Sequence, residues 1–499
     1  MENFITNVEN VNNAVNGFVW GLPMLILLVG TGILMTILTR GFQVTHFKHW
    51  VKNTIGGIFK DKHITAHTGK DDTQISQFQS LCTALAATIG TGNIAGVAAA
   101  ILSGGPGAIF WMWIVAFFGM MTNFSENVLG IYYRRRNERN EWCGGAMYYL
   151  KYGLGAKKGC AGIGAFLAVM FSMFCVIASF GIGNMSQINS IAVNMNSAFG
   201  VPTIATGILL MVFAGLVIVG GLKRIASVTE RLVPFMAIAY LACAIIIVFL
   251  NYDKIGPVFV SIFKGAFGMK AVGGGIVGSG VAYAVQWGMK RGVFSNEAGL
   301  GSSVMVHSSS NVREPVVQGM WGIFEVFADT IIVCTLTAFA VLSSGIVNLD
   351  TGEVISSAVS TALVAEAFST VYGKAGAAFI AIAILFFAFS TVLGWSQYGS
   401  KSFEYLFGRK ATKIYQVIFV VFILVGATMD LTLAWDLSDT FNGMMAIPNL
   451  IGVITLSGTV MKITQNYVDR KLRGKDIKPM LSAVDEIQEL HEEEIKKCS

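Results

Sequence analysis

Apolar residues in this chain run in long blocks. They show neither the two-residue alternation of half-buried strands nor the narrow stripe of a water-facing helix. A helix that crosses a bilayer needs about 20 such residues. Eleven blocks qualify: 17–39, 78–102, 107–132, 162–191, 203–221, 232–250, 272–289, 319–342, 376–397, 414–429 and 437–460. The expectation is an all-α polytopic membrane protein with eleven transmembrane helices. The tenth block is short, and the seventh is so rich in glycine that periodicity alone does not define it. The second block is broken in its middle by Ile89-Gly90-Thr91-Gly92-Asn93. A helix interrupted in hydrocarbon leaves peptide groups unpaired unless they face a cavity or a ligand. Membrane carriers hold substrates and ions at such interruptions.

Eleven divides into one helix and two sets of five. Five blocks after the interrupted one, the seventh carries Gly278-Ser279-Gly280 and runs the opposite way. Paired glycine-interrupted segments at matching positions predict an inverted repeat. The same glycines also suit close helix packing. The domain boundaries follow: an N-terminus and extra helix over 1–40, a loop over 41–76, a first repeat over 77–251, a second over 252–462, and a tail over 463–499. The exposed amide ends of a broken helix suit a carboxylate, and its carbonyl ends suit a cation. Thr91 and Ser279 add hydroxyls, and Asn93 adds an amide.

Composition agrees. The 499 residues are 54% hydrophobic and 13% charged, where soluble domains carry about 25% charged residues. The net charge of +6 is a matter of topology, with no nucleic-acid partner implied. With the N-terminus outside, 31 of the 35 Lys and Arg residues fall in inside loops or the tail. Only Lys254, Lys264, Lys270 and Lys374 fall outside. That bias predicts an outside N-terminus and a cytoplasmic C-terminus in the plasma membrane. Residues 1–16 have no Lys or Arg, so the first block is expected to stay as a helix and not to be cleaved as a signal. The seven cysteines are odd in number and lack a CxxC pair. They predict packing residues, with no disulfide framework and no cysteine metal site. The amphipathic tail reads as a solvated helix, with a partner or lipid contact as the alternative.

The run Gly104-Gly105-Pro106-Gly107-Ala108-Ile109-Phe110-Trp111-Met112-Trp113-Ile114-Val115-Ala116-Phe117-Phe118-Gly119 resembles the signature of the alanine/glycine:cation symporter family. This is a sodium:alanine symporter family of the amino acid–polyamine–organocation superfamily. Phe294-Ser295-Asn296-Glu297-Ala298-Gly299, Asp329–Thr335 and Asp439-Thr440-Phe441-Asn442-Gly443 support the resemblance. Taken alone, the aromatics of the run would be an interfacial belt. The resemblance implies a leucine-transporter-type (LeuT-type) 5+5 inverted repeat preceded by one extra helix. It also implies Na+-coupled import of a small neutral amino acid: alanine or glycine, with glutamine open. No organic cofactor and no enzyme chemistry are implied.

By position, the resemblance implies a Na+ site made of the carbonyls of Ala86, Ile89 and Phe387 and the hydroxyls of Ser390 and Thr391. Hard cations take oxygen ligands, though both hydroxyls equally suit bonding to their own helix. For the substrate it implies Thr91, Gly92, Asn93, Gly278, Ser279 and Gly280. Phe180, Gly183, Asn184, Gln187 and Trp395 would form or orient the pocket. Ordinary packing is the alternative for Phe180 and Trp395, and interhelical bonding for Asn184 and Gln187.

Intramembrane carboxylates point to function by default. Asp329, nearest mid-membrane, suits cation coupling or gating, and Glu325 lies one turn before it. Glu126 reads as an ion pair with the basic run at Arg134. Glu297, by family placement, reads as a cytoplasmic-gate residue or a cap. All six histidines fall in loops, the tail or a helix end, which weakens proton relay. HExxH, GxSxG and Walker A motifs are absent, so an intramembrane enzyme or an ATP-driven pump lacks its parts. A proton-coupled carrier using Asp329 and an amino-acid-sensing receptor or channel are the alternatives.

Overall fold

The structure is a computed structural model. It describes residues 2–66, 74–268, 277–429 and 432–498. Among them, seven helices are long and apolar enough to cross a bilayer, and nine if each bent pair is one span. Thr203–Ile218 is apolar but shorter. The expected eleven therefore goes beyond what length and composition establish. Thr203–Ile218 turns Ile208, Leu209, Val212, Phe213 and Leu216 outward. An apolar face of that extent suits lipid and not water.

The helices that build the interior are α1 (Gln77–Thr88), α2 (Ala95–Gly104), α3 (Gly107–Tyr132), α4 (Ala161–Phe180), α5 (Ser186–Phe199), α6 (Val277–Asn296), α7 (Pro315–Val326), α8 (Thr335–Ser343), α9 (Lys374–Phe407), α10 (Thr412–Thr428) and α11 (Thr432–Thr455). Helix α1 opens with a reciprocal cap. Ser76 Oγ accepts from the Gln79 amide at 3.1 Å, and Gln79 Oε1 accepts from the Ser76 amide at 3.1 Å. The S-x-x-Q spacing permits both bonds. The signature run at 104–119 is a turn into α3. Gly105 has φ +65°, and Phe110 packs on Phe263 and Phe267.

The first interruption is where it was expected. Helices α1 and α2 are bent by 58° about a single 3₁₀ turn, Thr91–Asn93. The second is not. Val277–Asn296 is uninterrupted helix through Gly278, Ser279 and Gly280. Gly280 is exposed, and the side chains of Gly278 and Ser279 lie outside the described residues. The chain instead leaves the helix after Asn296. Glu297 adopts φ +56°, Gly299 +93° and Gly301 +72°, and helix resumes only briefly at Val304–His307. Glycine inside a helix costs only about 1 kcal/mol, so G-S-G bends nothing by itself. The positive φ values at 297–301 do.

Two long helices contain π-helical turns, Gly181–Met185 between α4 and α5 and Phe327–Cys334 between α7 and α8. Turns of this kind often mark functional sites.

At the end of the molecule that carries the basic loops, both interrupted helices are fastened together. The Ile75 amide donates to the Ser309 carbonyl at 3.2 Å, and the Asn311 amide to the Ile75 carbonyl at 2.9 Å. Buried Arg134 donates to the carbonyls of Ser308, Ser310 and Val312 at 3.2, 2.7 and 2.5 Å. Its guanidinium lies 3.8 Å from the Trp142 ring centroid. Glu126 is not its partner, contrary to expectation. Asn449 Nδ2 donates to Glu126 Oε1 at 2.5 Å and to the Gly299 carbonyl at 2.9 Å. Arg134 is committed to carbonyls of the segment that follows Val304–His307.

The tail is docked, not solvated. The Ala483 amide donates to the Tyr132 carbonyl at 2.9 Å, and Arg313 pairs with Glu494 at 2.7 Å. Ile487 and His491, one turn apart on Asp485–Cys498, are buried, His491 against Trp142. His307 is also fully buried, which corrects its reading as a loop residue. Its Nε2 lies 2.9 Å from Glu325 Oε2, while Gln318 and Ser80 face Nδ1.

Candidate substrate and cation site

The site begins with backbone that cannot pair within its own helix. At the first interruption the Gly90 amide donates to the Asn93 side-chain carbonyl at 2.9 Å. The Thr91 amide reaches Gln187 Oε1 at 3.4 Å. These bonds replace the lost helical ones. Gly90 has to be glycine, because a Cβ there would lie 2.3 Å from Thr391 Oγ1.

Asn93 also points across the bundle. Its Nδ2 donates to Asp329 Oδ1 at 2.7 Å. Asp329 Oδ2 accepts from Ser295 Oγ at 2.8 Å and from Thr330 Oγ1 at 2.9 Å. Asn296 Nδ2 donates to Thr330 Oγ1 at 3.1 Å. One fully buried carboxylate thus joins the first interruption, the start of the second and a π-helical turn. Its three side-chain donors are all neutral. A buried charge is tolerated only when hydrogen-bonded or paired, and here bonding to neutral groups supplies that condition. Cys334 Sγ lies 3.4 Å from both Asn93 Nδ2 and Ser295 Oγ. Ser295, Asn296, Thr330 and Cys334 were not foreseen as site residues. Polar Ser295-Asn296-Glu297, followed closely by Gly299 and Gly301, was the signal available for the first two.

A second junction ties the first interruption to α9. Ser390 Oγ donates to the Phe387 carbonyl at 2.8 Å and reaches the Ala86 carbonyl at 3.3 Å. Thr391 Oγ1 donates to the Phe387 carbonyl at 3.0 Å. Ile89 is buried at the C-terminal end of α1. Ala86, Phe387, Ser390 and Thr391 are therefore gathered where they were expected, beside Ile89. The set is rich in neutral oxygen, a donor type that hard cations take.

The other expected residues divide. Gln187 faces the interruption, and Gly183 lies against Trp395, where a Cβ would sit 2.4 Å from Trp395 Cβ. Trp395 is buried and reaches Glu297, whose Oε2 accepts from Ser302 Oγ at 2.5 Å. Gly92 faces Ser295. Thr91 Oγ1 and Asn184 Oδ1 are buried with no hydrogen-bond partner among the described residues. Asn184 Nδ2 is committed to the Phe419 carbonyl of α10 at 2.6 Å. Phe180 stacks on Tyr415, Phe419 and Phe422 of α10. It belongs to that outer contact and not to a pocket wall. Gly280, exposed, is not brought to the site.

Interrupted helices, buried polar junctions between them and a lipid-suited exterior define a polytopic membrane protein of the transporter class. The chain belongs to the sodium:alanine symporter family, whose model matches residues 5–481. It is 45% identical to the sodium/alanine symporter AgcS of Methanococcus maripaludis, over 93% of this chain and 98% of that protein. It is 33% identical to the amino-acid carrier protein AlsT of Bacillus subtilis, over 95% of each. The crystal structure of MhsT in complex with L-phenylalanine aligns with a TM-score of 0.49 at 13% identity, covering 79% of this chain and 99% of that one.

Proposed function

We propose that this chain is a secondary active symporter that imports a small neutral amino acid together with Na+, with alanine and glycine first and glutamine behind them. The observation that carries the reading is the meeting of both interruptions at Asp329, through Asn93 and Ser295. In this reading the Thr91 hydroxyl, which has no partner among the described residues, receives the substrate carboxylate, with Gly92, Asn93 and Gln187 around it. Gly183 and Trp395 limit the size of the side chain. Na+ binds among the carbonyls of Ala86, Ile89 and Phe387 and the hydroxyls of Ser390 and Thr391. It draws α1 toward α9 before the substrate completes the site. Asp329 couples the two interruptions, and Glu297 acts at the inner gate.

The arrangement goes with a LeuT-type 5+5 repeat, 77–251 and 252–462, after an extra N-terminal helix. The N-terminus lies outside the plasma membrane and the C-terminus in the cytoplasm. One bundle rocks against the other. Each entering charge adds about 2.3 kcal/mol at 100 mV, which is enough for one ion to drive accumulation. The second reading, proton coupling, is favoured by one observation: Asp329 is a buried carboxylate whose side-chain donors are all neutral. Uptake of labelled alanine into proteoliposomes separates the two. An imposed Na+ gradient should drive it and a pH gradient should not; the reverse result would replace Na+ by a proton. Saturable counterflow in the same vesicles would exclude a sensor that moves nothing.

A further inference from the structure

A cavity of about 1250 Å³ opens among the basic loops, and it meets α9 at Gln397, about 9 Å along the helix from Thr391. Its lining includes eight basic side chains and three acidic ones. Two of the acids are already paired, Glu404 with Lys401 at 3.2 Å and Glu141 with Arg409 at 2.7 Å. Several like charges around one concavity focus a positive potential within it.

The polar atoms of the lining sharpen the picture. Five lining residues each have a buried side-chain atom with no hydrogen-bond partner among the described residues: Gln397 Nε2, Ser400 Oγ, Arg136 Nε, Trp142 Nε1 and Thr412 Oγ1. Every one carries a hydrogen it can donate, and three of them, the amide, guanidine and indole nitrogens, cannot accept at all. A buried group of this kind costs free energy until it is satisfied. Gln397 and Ser400 are only 4% and 5% exposed. They stand one turn apart on α9, so they share a face about 5–6 Å apart at Cβ. The three nitrogens can only donate, which favours an anionic acceptor over a neutral polyol, and the basic rim would repel a cation.

We infer that this cavity is a second binding site, for a small carboxylate, with Gln397 and Ser400 as its floor and the basic rim as its field. Neutral donors at the floor suit a monoanion. A phosphate would be held better by paired guanidiniums. The carboxylate comes either from the amino acid after its release or from a free cytoplasmic monocarboxylate. The chemistry of the site stands without the transport reading; only its placement on the cytoplasmic side rests on that reading.

The test is equilibrium binding of labelled acetate to the purified full-length protein in Na+-free buffer. Acetate should bind saturably at one site, and added Na+ should leave the affinity unchanged. Gln397→Leu combined with Ser400→Ala should weaken binding by about tenfold or more. Arg139→Gln, at the exposed rim and harmless to packing, should weaken it about two- to threefold, with the loss growing at low salt. Competition by alanine but not alaninamide would assign the site to released substrate; indifference to both would assign it to a free monocarboxylate. Either result supports the inference. Absence of saturable acetate binding, displacement by phosphate at lower concentration than by acetate, or full binding in both variants would overturn it. Failure of Na+-driven uptake would leave acetate binding standing, so the two proposals fail separately.

Discussion

The two interrupted helices meet, yet they are held in different ways. The first, at Gly90–Asn93, is a short bend closed by its own asparagine. It faces outward to three neighbours: Asp329 through Asn93, Gln187 through the Thr91 amide, and Thr391 through the bare Gly90 backbone. It retains a buried hydroxyl, that of Thr91, without a partner among the described residues. The second is a longer excursion through three left-handed residues. It is fastened from within and from α11, with the Asn296 side chain accepting from the Ala298 amide at 3.0 Å, Glu297 accepting from Ser302, and Asn449 of α11 donating to the Gly299 carbonyl. Unsatisfied groups invite a ligand, and satisfied ones hold a shape. In the proposed carrier the contrast assigns recognition to the first interruption and support to the second, with Asp329 as the carboxylate that bonds to both Asn93 and Ser295.

Replacing that shared carboxylate is the strongest way to break the contrast. Asp329→Asn keeps the shape and removes charge-assisted bonds worth about 1.5–3 kcal/mol each. Na+-driven alanine uptake should fall about 10–100-fold. Near-normal uptake would mean that the junction is only structural. Thr391→Ala should raise the Na+ concentration for half-maximal uptake about tenfold, corresponding to about 1.4 kcal/mol. An unchanged Na+ response would remove α9 from the cation site.

Asn449→Ala addresses the second interruption. It should cost about 1–3 kcal/mol of stability, visible as a lower melting temperature, while the apparent affinity for alanine in surviving protein stays within about twofold. A lost affinity with unchanged stability would reverse the two assignments. The smallest effect concerns the tail, which docks beside the clamp on the second interruption. Burial, then Arg134, Arg313 and Arg136, hold the His491 imidazole down at about 3 from its ordinary 6.5. Its neighbour Glu494 is engaged with Arg313. The docked tail therefore accepts only neutral imidazole, whereas the undocked tail takes up a proton below about 6.5. Docking is full above that pH and weakens progressively as pH falls toward 3. Hydrogen exchange of the amides at 485–495 should speed up between pH 7 and 5 beyond the intrinsic rate change. His491→Phe should remove that excess.

The residues show why some of this was legible and some was not. Gly90-Thr91-Gly92-Asn93 announces itself, because glycines and a turn-forming asparagine stand inside an otherwise apolar run. Asp329 does too, as a carboxylate in hydrocarbon. The second interruption was misplaced because glycine density at 278–280 drew attention from 296–301. What opens that segment is a set of remote partners such as Asn449, which no local pattern contains. Phe180 was assigned to the wrong side for a related reason. The π-helical turn that follows it shifts the face each residue presents, and apolar periodicity does not record such a turn. His307 looked loop-bound because its partners, Glu325 and Gln318, arrive on the next helix. Ser390 and Thr391 were found through family resemblance, since two hydroxyls in a helix otherwise suggest only local bonding.

The pairing of Ile75 with Ser309 and Asn311, beneath the guanidinium of Arg134, has a mechanical consequence. At the basic-loop end the two broken helices are zipped into one lever, so neither can swing away alone. In the proposed carrier, opening at that end then demands either that both move together as a block or that the zip parts first. The first course keeps its backbone bonds through every cycle, and the second spends and remakes them at each turnover.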